Sequence, residues 1–255
     1  MTLAHAASLR TVLIFGLSSV FAAIVDLAFC GVADEAIQEQ EESWWSASLI
    51  SEYDSKYVFR GVNSLPGSGI GVVDLTLTAY DFSLEIWHAS GLRRTYQEIY
   101  FRLDYTREFG PVAISAGYIN YYFPNGDRVK GGFKDTQELF AEASYEFASS
   151  FTASFAYYSD VDKINGSYLE LKLADRIPVV KETVSLEPYA AISYDFRYNS
   201  RTRGLNNFEA GLSLPVAISK HTSVAAFAAL SIPLHAIGAI AEKEAWGGVR
   251  VSFVF

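Results

Sequence analysis

Cysteine is nearly absent from this chain: Cys30 is alone, which excludes an intramolecular disulfide framework. Charge is also scarce, at 19% of 255 residues, and the 20 basic side chains are outnumbered by 29 acidic ones. The resulting net charge of −9 speaks against a nucleic-acid partner and fits an acidic surface or an acidic lumen. Helical periodicity is missing from every long segment after residue 40. His221 and His235 stand isolated in different connections, so no metal site is suggested and no cofactor is expected. What the chain has in abundance is apolar and aromatic residues, 50% and 15%, with 16 Tyr and 18 Phe.

The first thirty or so residues read as a secretory signal. Arg10 supplies a thin positive region and "TVLIFGLSSVFAAIV" (residues 11–25) the apolar run. Cleavage after Ala33 places Gly31 and Ala33 at the two small-residue positions, although Asp26 lies close to the apolar core. The stretch just reaches membrane-spanning length, so an uncleaved anchor is the alternative. Phe29 is too bulky before Cys30 for a lipoprotein box. The expected division is a signal over 1–33, an acidic polar leader over 34–43 and one domain over 44–255.

That domain alternates strands of about ten residues with turns, a length suited to a tilted crossing of a bilayer. "WSASLISEY" sets Trp45, Ala47, Leu49 and Tyr53 against Ser46, Ser48 and Glu52. Val73, Leu75, Leu77 and Ala79 oppose Asp74, Thr76, Thr78 and Tyr80, and Ile99, Phe101, Leu103 and Tyr105 oppose Glu98, Tyr100, Arg102 and Asp104. Leu139, Ala141, Ala143, Tyr145 and Phe147 oppose Glu138, Glu142, Ser144 and Glu146. "FTASFAYY", "YLELKL", "VSLEPYAAISYDF" and "NFEAGLSL" continue the series, whereas "VAAFAALSI" is apolar on both faces and its phase cannot be read. Short connections near Asp81, Gly110 and Ser149 alternate with longer ones such as "DSKYVFRGVNSLPGSG" and "PNGDRVKGGFKD". The predicted fold is all-β: a transmembrane antiparallel up-and-down barrel of about twelve strands.

Periodicity leaves open which face meets lipid, because a soluble barrel buries its apolar face inside. On the strands of clear phase the apolar face carries no charge, and an Arg or Lys there would cost about 2–4 kcal/mol at the bilayer midplane. Tyr53, Tyr105 and Tyr194 near strand ends suit an interfacial girdle. The membrane reading is therefore preferred. The terminal "GGVRVSFVF" puts Val249, Val251, Phe253 and Phe255 on one face and Arg250 and Ser252 on the other. It resembles the C-terminal signal read by the barrel-assembly machinery of the bacterial outer membrane.

The predicted lumen lining is Glu52, Asp74, Glu98, Arg102, Asp104, Glu138, Glu142, Glu146, Glu170, Lys172, Glu187, Glu209 and Arg250. Carboxylate rings favour cations in a pore, unless neighbours such as Arg102 neutralise them. Tyr100, Tyr158, Tyr168 and Tyr189 share that face and either narrow the passage or simply fill it. The expected role is passive diffusion of small polar solutes or cations across an outer membrane of a Gram-negative bacterium, with surrounding lipid as the partner surface.

"SKYVFRGVN", "YINYYFPNG", "DTQELFAEASYEF" and "AYYSDVD…GSYLELKL" resemble the TorF-like porin family of Gram-negative outer-membrane barrels. The resemblance covers roughly residues 44–175 and implies an outer-membrane barrel, with no catalytic residue to transfer. A second resemblance is local: His88 and Ser90 in "WHASG", with Glu98 downstream, are similar to the catalytic set of outer-membrane lipid A deacylases, a lipid-modifying alternative to the channel. There the phases conflict, since His88 points out and Glu98 in, unless a bulge intervenes. A structural barrel without conductance is the third reading. "SDVDKING" has the carboxylate density of a calcium loop, but Ile164 occupies a ligand position, so a turn is expected.

Overall fold

The computed structural model describes residues 44–126, 132–147, 150–181 and 183–255. The expected signal and leader lie outside the described residues. Twelve long strands build the molecule: β1 (Trp45–Asp54), β2 (Ile70–Ala79), β3 (Phe82–Gly91), β4 (Gln97–Phe109), β5 (Val112–Tyr122), β6 (Thr136–Phe147), β7 (Phe151–Asp160), β8 (Ser167–Asp175), β9 (Val184–Phe196), β10 (Arg203–Ala217), β11 (Thr222–Pro233) and β12 (Glu244–Val254). Each pairs antiparallel with its neighbours in sequence, and β12 pairs with β1, with Leu49 opposite Phe253 and Glu52 opposite Arg250. The sheet therefore closes, and closure removes the exposed edges that an open sheet would present. Phe255 completes the seam, donating its N–H to the Ala47 carbonyl at 2.9 Å.

Connections alternate in length. Tyr80–Asp81 and Gly110–Pro111 are two-residue turns at one end of the barrel. At the other end the chain makes longer excursions, the most important being residues 55–69 between β1 and β2. These are called the short-turn end and the long-loop end below.

Leu77, Leu103, Leu139, Leu171, Leu212 and Val249 are all exposed and point outward, with Leu103 and Leu139 each 53% accessible. A soluble protein rarely exposes an apolar belt of this extent. The structure thus inverts the soluble arrangement, as a lipid-facing barrel requires. Aromatic residues stand at both rims of the belt, among them Trp45, Tyr105 and Phe109 at the short-turn end and Tyr53 and Tyr122 at the long-loop end.

The strand of unreadable phase, β11, turns Ala225 and Ala229 inward, both buried, and leaves Val224 exposed outside. Inward residues elsewhere are not uniformly polar. Ile70, Val72 and Ala89 form one buried cluster with Tyr57, Leu65 and Tyr96, and Ile119, Tyr121 and Phe140 form another. Tyr57 and Leu65 come from the long excursion of residues 55–69, which folds back into the barrel.

Candidate functional site

Residues 58–63 of that excursion form a miniature hairpin, with Val58 paired to Asn63 and Phe59 to Val62. Its tip is Arg60–Gly61, with φ of 49° and 80°. Two consecutive left-handed residues are the signature of a type I′ turn, the tight connection whose twist matches paired strands. Glycine serves its position for a second reason: a Cβ there would lie 2.7 Å from Cγ of Asn207.

The tip carries Arg60 to the opposite wall. Its guanidinium donates to both oxygens of Glu138 on β6, at 2.6 and 2.9 Å. The side chains are 6% and 0% exposed. Rings of Phe59, Tyr158, Tyr168 and Tyr198 surround the guanidinium at 4.8, 4.5, 5.0 and 4.2 Å. A bidentate, π-stacked pair of this kind suits arginine and not lysine. Tyr121 donates a further bond to Glu138 at 3.0 Å. The Arg60 carbonyl accepts from the side-chain amides of Asn206 (2.8 Å) and Asn199 (3.1 Å). Asn206 and Asn207 are consecutive yet both buried, where the β9–β10 register shifts near Ser193. The bulge lets one strand turn two adjacent amides inward, Asn206 to the Arg60 carbonyl and Asn207 to the Ser231 hydroxyl.

The near end of the excursion is also tied. Glu244 binds Lys56 at 2.6 Å and Asn63 at 3.1 Å. Glu98 accepts from the hydroxyls of Tyr57, at 2.7 Å, and of Tyr96. Burial, and then the Glu98 charge, hold the Tyr57 phenol well above its ordinary pKa, which keeps it a donor.

These contacts change what the predicted lumen residues can do. Glu138 and Glu98 are sealed beneath the hairpin. Glu142 accepts from Arg102 at 2.9 Å and from Tyr158 at 2.5 Å. Arg102 also reaches Asp104 at 3.1 Å and packs on the Phe140 ring at 4.0 Å. Glu52 is paired with Arg250. Glu146 is exposed towards the short-turn end of β6, and Glu187 there meets Arg176 at 3.3 Å. Lys172 sits 4.5 Å from the Tyr189 ring, and Tyr189 donates to Glu209 at 2.7 Å. Among the described residues, Asp74, Glu170 and Glu209 have no cationic partner at ion-pair distance.

Space remains inside the barrel. A cavity of about 370 Å³ is lined by Asp54 and Trp246 towards the long-loop end and by Ala174 and Glu187 towards the other, with Phe227, Lys172 and Arg250 between. Two of its rings are seated on glycines: a Cβ on Gly211 would collide with the Tyr189 ring, and one on Gly248 with the Phe227 ring. Clusters around Tyr96 and Tyr121 pack the β2–β5 wall, and a second cavity of about 410 Å³ is lined by Tyr57, Phe59 and Val62 of the hairpin with Tyr96, Tyr121 and Phe133.

The remaining sequence candidates separate. His88 and Ser90 face outward on β3, while Glu98 is held inside by Tyr57 and Tyr96, so the acyl-transfer set is not assembled. In "SDVDKING", Asp160 accepts from the backbone N–H groups of Asp162, Ile164 and Asn165, the pattern of a side-chain-stabilised turn. Arg60, Tyr57, Asn206 and Asn207 were not among the predicted lumen residues. The available signal was the apolar content of the "YVFRGV" loop, too high for a segment bathed in water.

No protein-family model and no curated protein matches the chain. Solved structures do. The KdgM porin aligns over 82% of this chain and 99% of its own, with a TM-score of 0.58 at 8% identity. The NanC porin aligns over 81% and 98%, with a TM-score of 0.56 at 8% identity. An outer membrane channel of Pseudomonas putida F1 aligns over 88% and 100%, with a TM-score of 0.55 at 10% identity. The fold is that of outer-membrane channels. Identities this low establish the architecture alone.

Proposed function

We propose that the chain is an outer-membrane channel for passive diffusion of small polar solutes, with a preference for cations. The observation that carries this reading is a cavity bordered by charged and aromatic side chains inside a closed barrel with an apolar exterior. A polar lumen within a lipid-facing barrel is the arrangement that supports aqueous conduction. The location of "YVFRG" at the lumenal hairpin is compatible with the TorF-like assignment, which rests on that motif and its companions. Lipid is the surrounding partner, and the barrel-assembly machinery acts on the terminal strand during biogenesis.

Cation preference follows from the charges that pairing leaves over. Arg60, Arg102 and Arg250 are engaged by Glu138, Glu142 and Glu52. Asp74, Glu170 and Glu209 are left inside the barrel without a cationic partner at ion-pair distance among the described residues, and Lys172 borders the cavity near them. One similar barrel was solved with disordered oligogalacturonate; an anionic polymer does not suit this lining. Screening acts over about 8 Å at physiological salt, so the preference should weaken as salt rises. Planar-bilayer recording across a salt gradient tests both claims. Cation-selective reversal potentials are expected, reduced when Glu170 and Glu209 are both replaced by Gln. Absence of conductance defeats the channel, and anion selectivity defeats the charge argument.

A further inference from the structure

We infer that the hairpin at residues 57–64 is a fixed size filter, with Arg60 as the residue that holds the size limit. The inference rests on the channel reading above. In a ring of twelve strands β7 lies opposite β1, and the hairpin leaves β1 to anchor on β6, β7, β8 and β10. It therefore crosses the lumen and does not merely line one wall. On its β2–β5 side Ile70, Val72, Ala89 and Tyr96 pack against Tyr57 and Leu65. The space that the hairpin itself borders is a cavity of about 410 Å³, where Tyr57, Phe59 and Val62 face Tyr121, Phe133 and Tyr198, and a solute must pass around these side chains.

Restraints at both ends make this element static. The near end is held by Lys56 and Asn63 on Glu244, and the far end by the two-bond Arg60–Glu138 pair in its cage of rings. The Arg60 carbonyl is fixed by two asparagine amides. A non-glycine residue at positive φ persists only where its surroundings over-determine it, and Arg60 meets that condition. A mobile gate would be drawn from weakly packed segments, with few buried contacts. This hairpin has many, and the limit they impose is steric.

The test uses the full-length protein, folded and checked by heat-modifiable migration, in planar bilayers and in liposome swelling with polyethylene glycols of graded size. One variant replaces residues 58–63 by Gly-Gly. A second combines Arg60→Gln with Glu138→Gln, so that no buried charge is left unpaired. The wild type should give steady currents without switching between levels. The shortened variant should conduct about twofold more or better and admit longer glycols, since a crossing segment has been removed from the lumen. The double variant should fall between, with flickering current. A conducting wild type and a folded shortened variant of equal conductance and equal size limit would overturn the filter while leaving the channel intact. A silent wild type with a conducting shortened variant would also overturn it, making the hairpin a closed plug. Silence in both defeats the channel reading, and the filter with it.

Discussion

Arg60 and Gly61 show how one dipeptide couples distant strands. The turn needs two left-handed residues, and the second must also leave room for Asn207. Gly61→Val should therefore fail twice, through backbone strain of about 1–3 kcal/mol and through collision with a buried amide. The expected result is a folded barrel whose hairpin has come off the far wall. Trypsin would then cleave after Arg60 in the variant and spare the wild type, in which Arg60 is buried; equal resistance would contradict the geometry. Removing only the far partner is harsher: Glu138→Ala leaves the guanidinium buried without its carboxylate, a loss of about 3–5 kcal/mol. The pairing itself was not legible in sequence. Arg60 and Glu138 are separated by 78 residues and meet only because the sheet closes. Local pattern reports which face a strand residue occupies, but not what a loop brings to meet it.

At the level of the element, legibility followed alternation. Strands with a charge every second or fourth residue, such as β4 and β6, declared their phase, and the inward set of carboxylates came with it. The "VAAFAALSI" strand did not, because its inward residues are Ala225, Phe227 and Ala229 with a single polar Ser231, and Phe227 rests on Gly248. The β9–β10 bulge was equally invisible, since an inserted residue leaves no mark on hydrophobicity when both candidates are asparagine. The final strand adds a test of its own. Phe255 closes the seam through main-chain bonds with Ala47, at 2.9 and 3.4 Å. Its deletion removes those bonds along with the terminal aromatic residue. Export should persist while the heat-modifiable, folded fraction in the outer membrane falls; an undiminished fraction would count against the assembly-signal reading.

For the whole molecule the decisive property is that the barrel is inside out. Adjacent residues then answer to different solvents, and β8 offers the cleanest comparison. Leu171 is 49% exposed on the outer face, mid-strand, while its neighbour Lys172 borders the cavity inside. Leu171→Arg places a charge in hydrocarbon and should lower stability by about 2–4 kcal/mol if the site lies near the midplane. Lys172→Glu reverses a charge in a wet lumen beside Tyr189, where solvation is retained. Its effect on stability should be small, because water screens most of the new repulsion with Glu170 and Glu209. Its effect on selectivity should be large, since it removes the lysine facing those carboxylates and adds another acid. Equilibrium unfolding from liposomes measures the first quantity and reversal potential the second. The expected outcome is a crossed pattern: Leu171→Arg unfolds more easily and conducts with unchanged selectivity, whereas Lys172→Glu is as stable as wild type and more cation-selective. If instead Lys172→Glu proved the more destabilising of the two, the interior would be a packed core, and the aqueous lumen on which conduction depends would be lost.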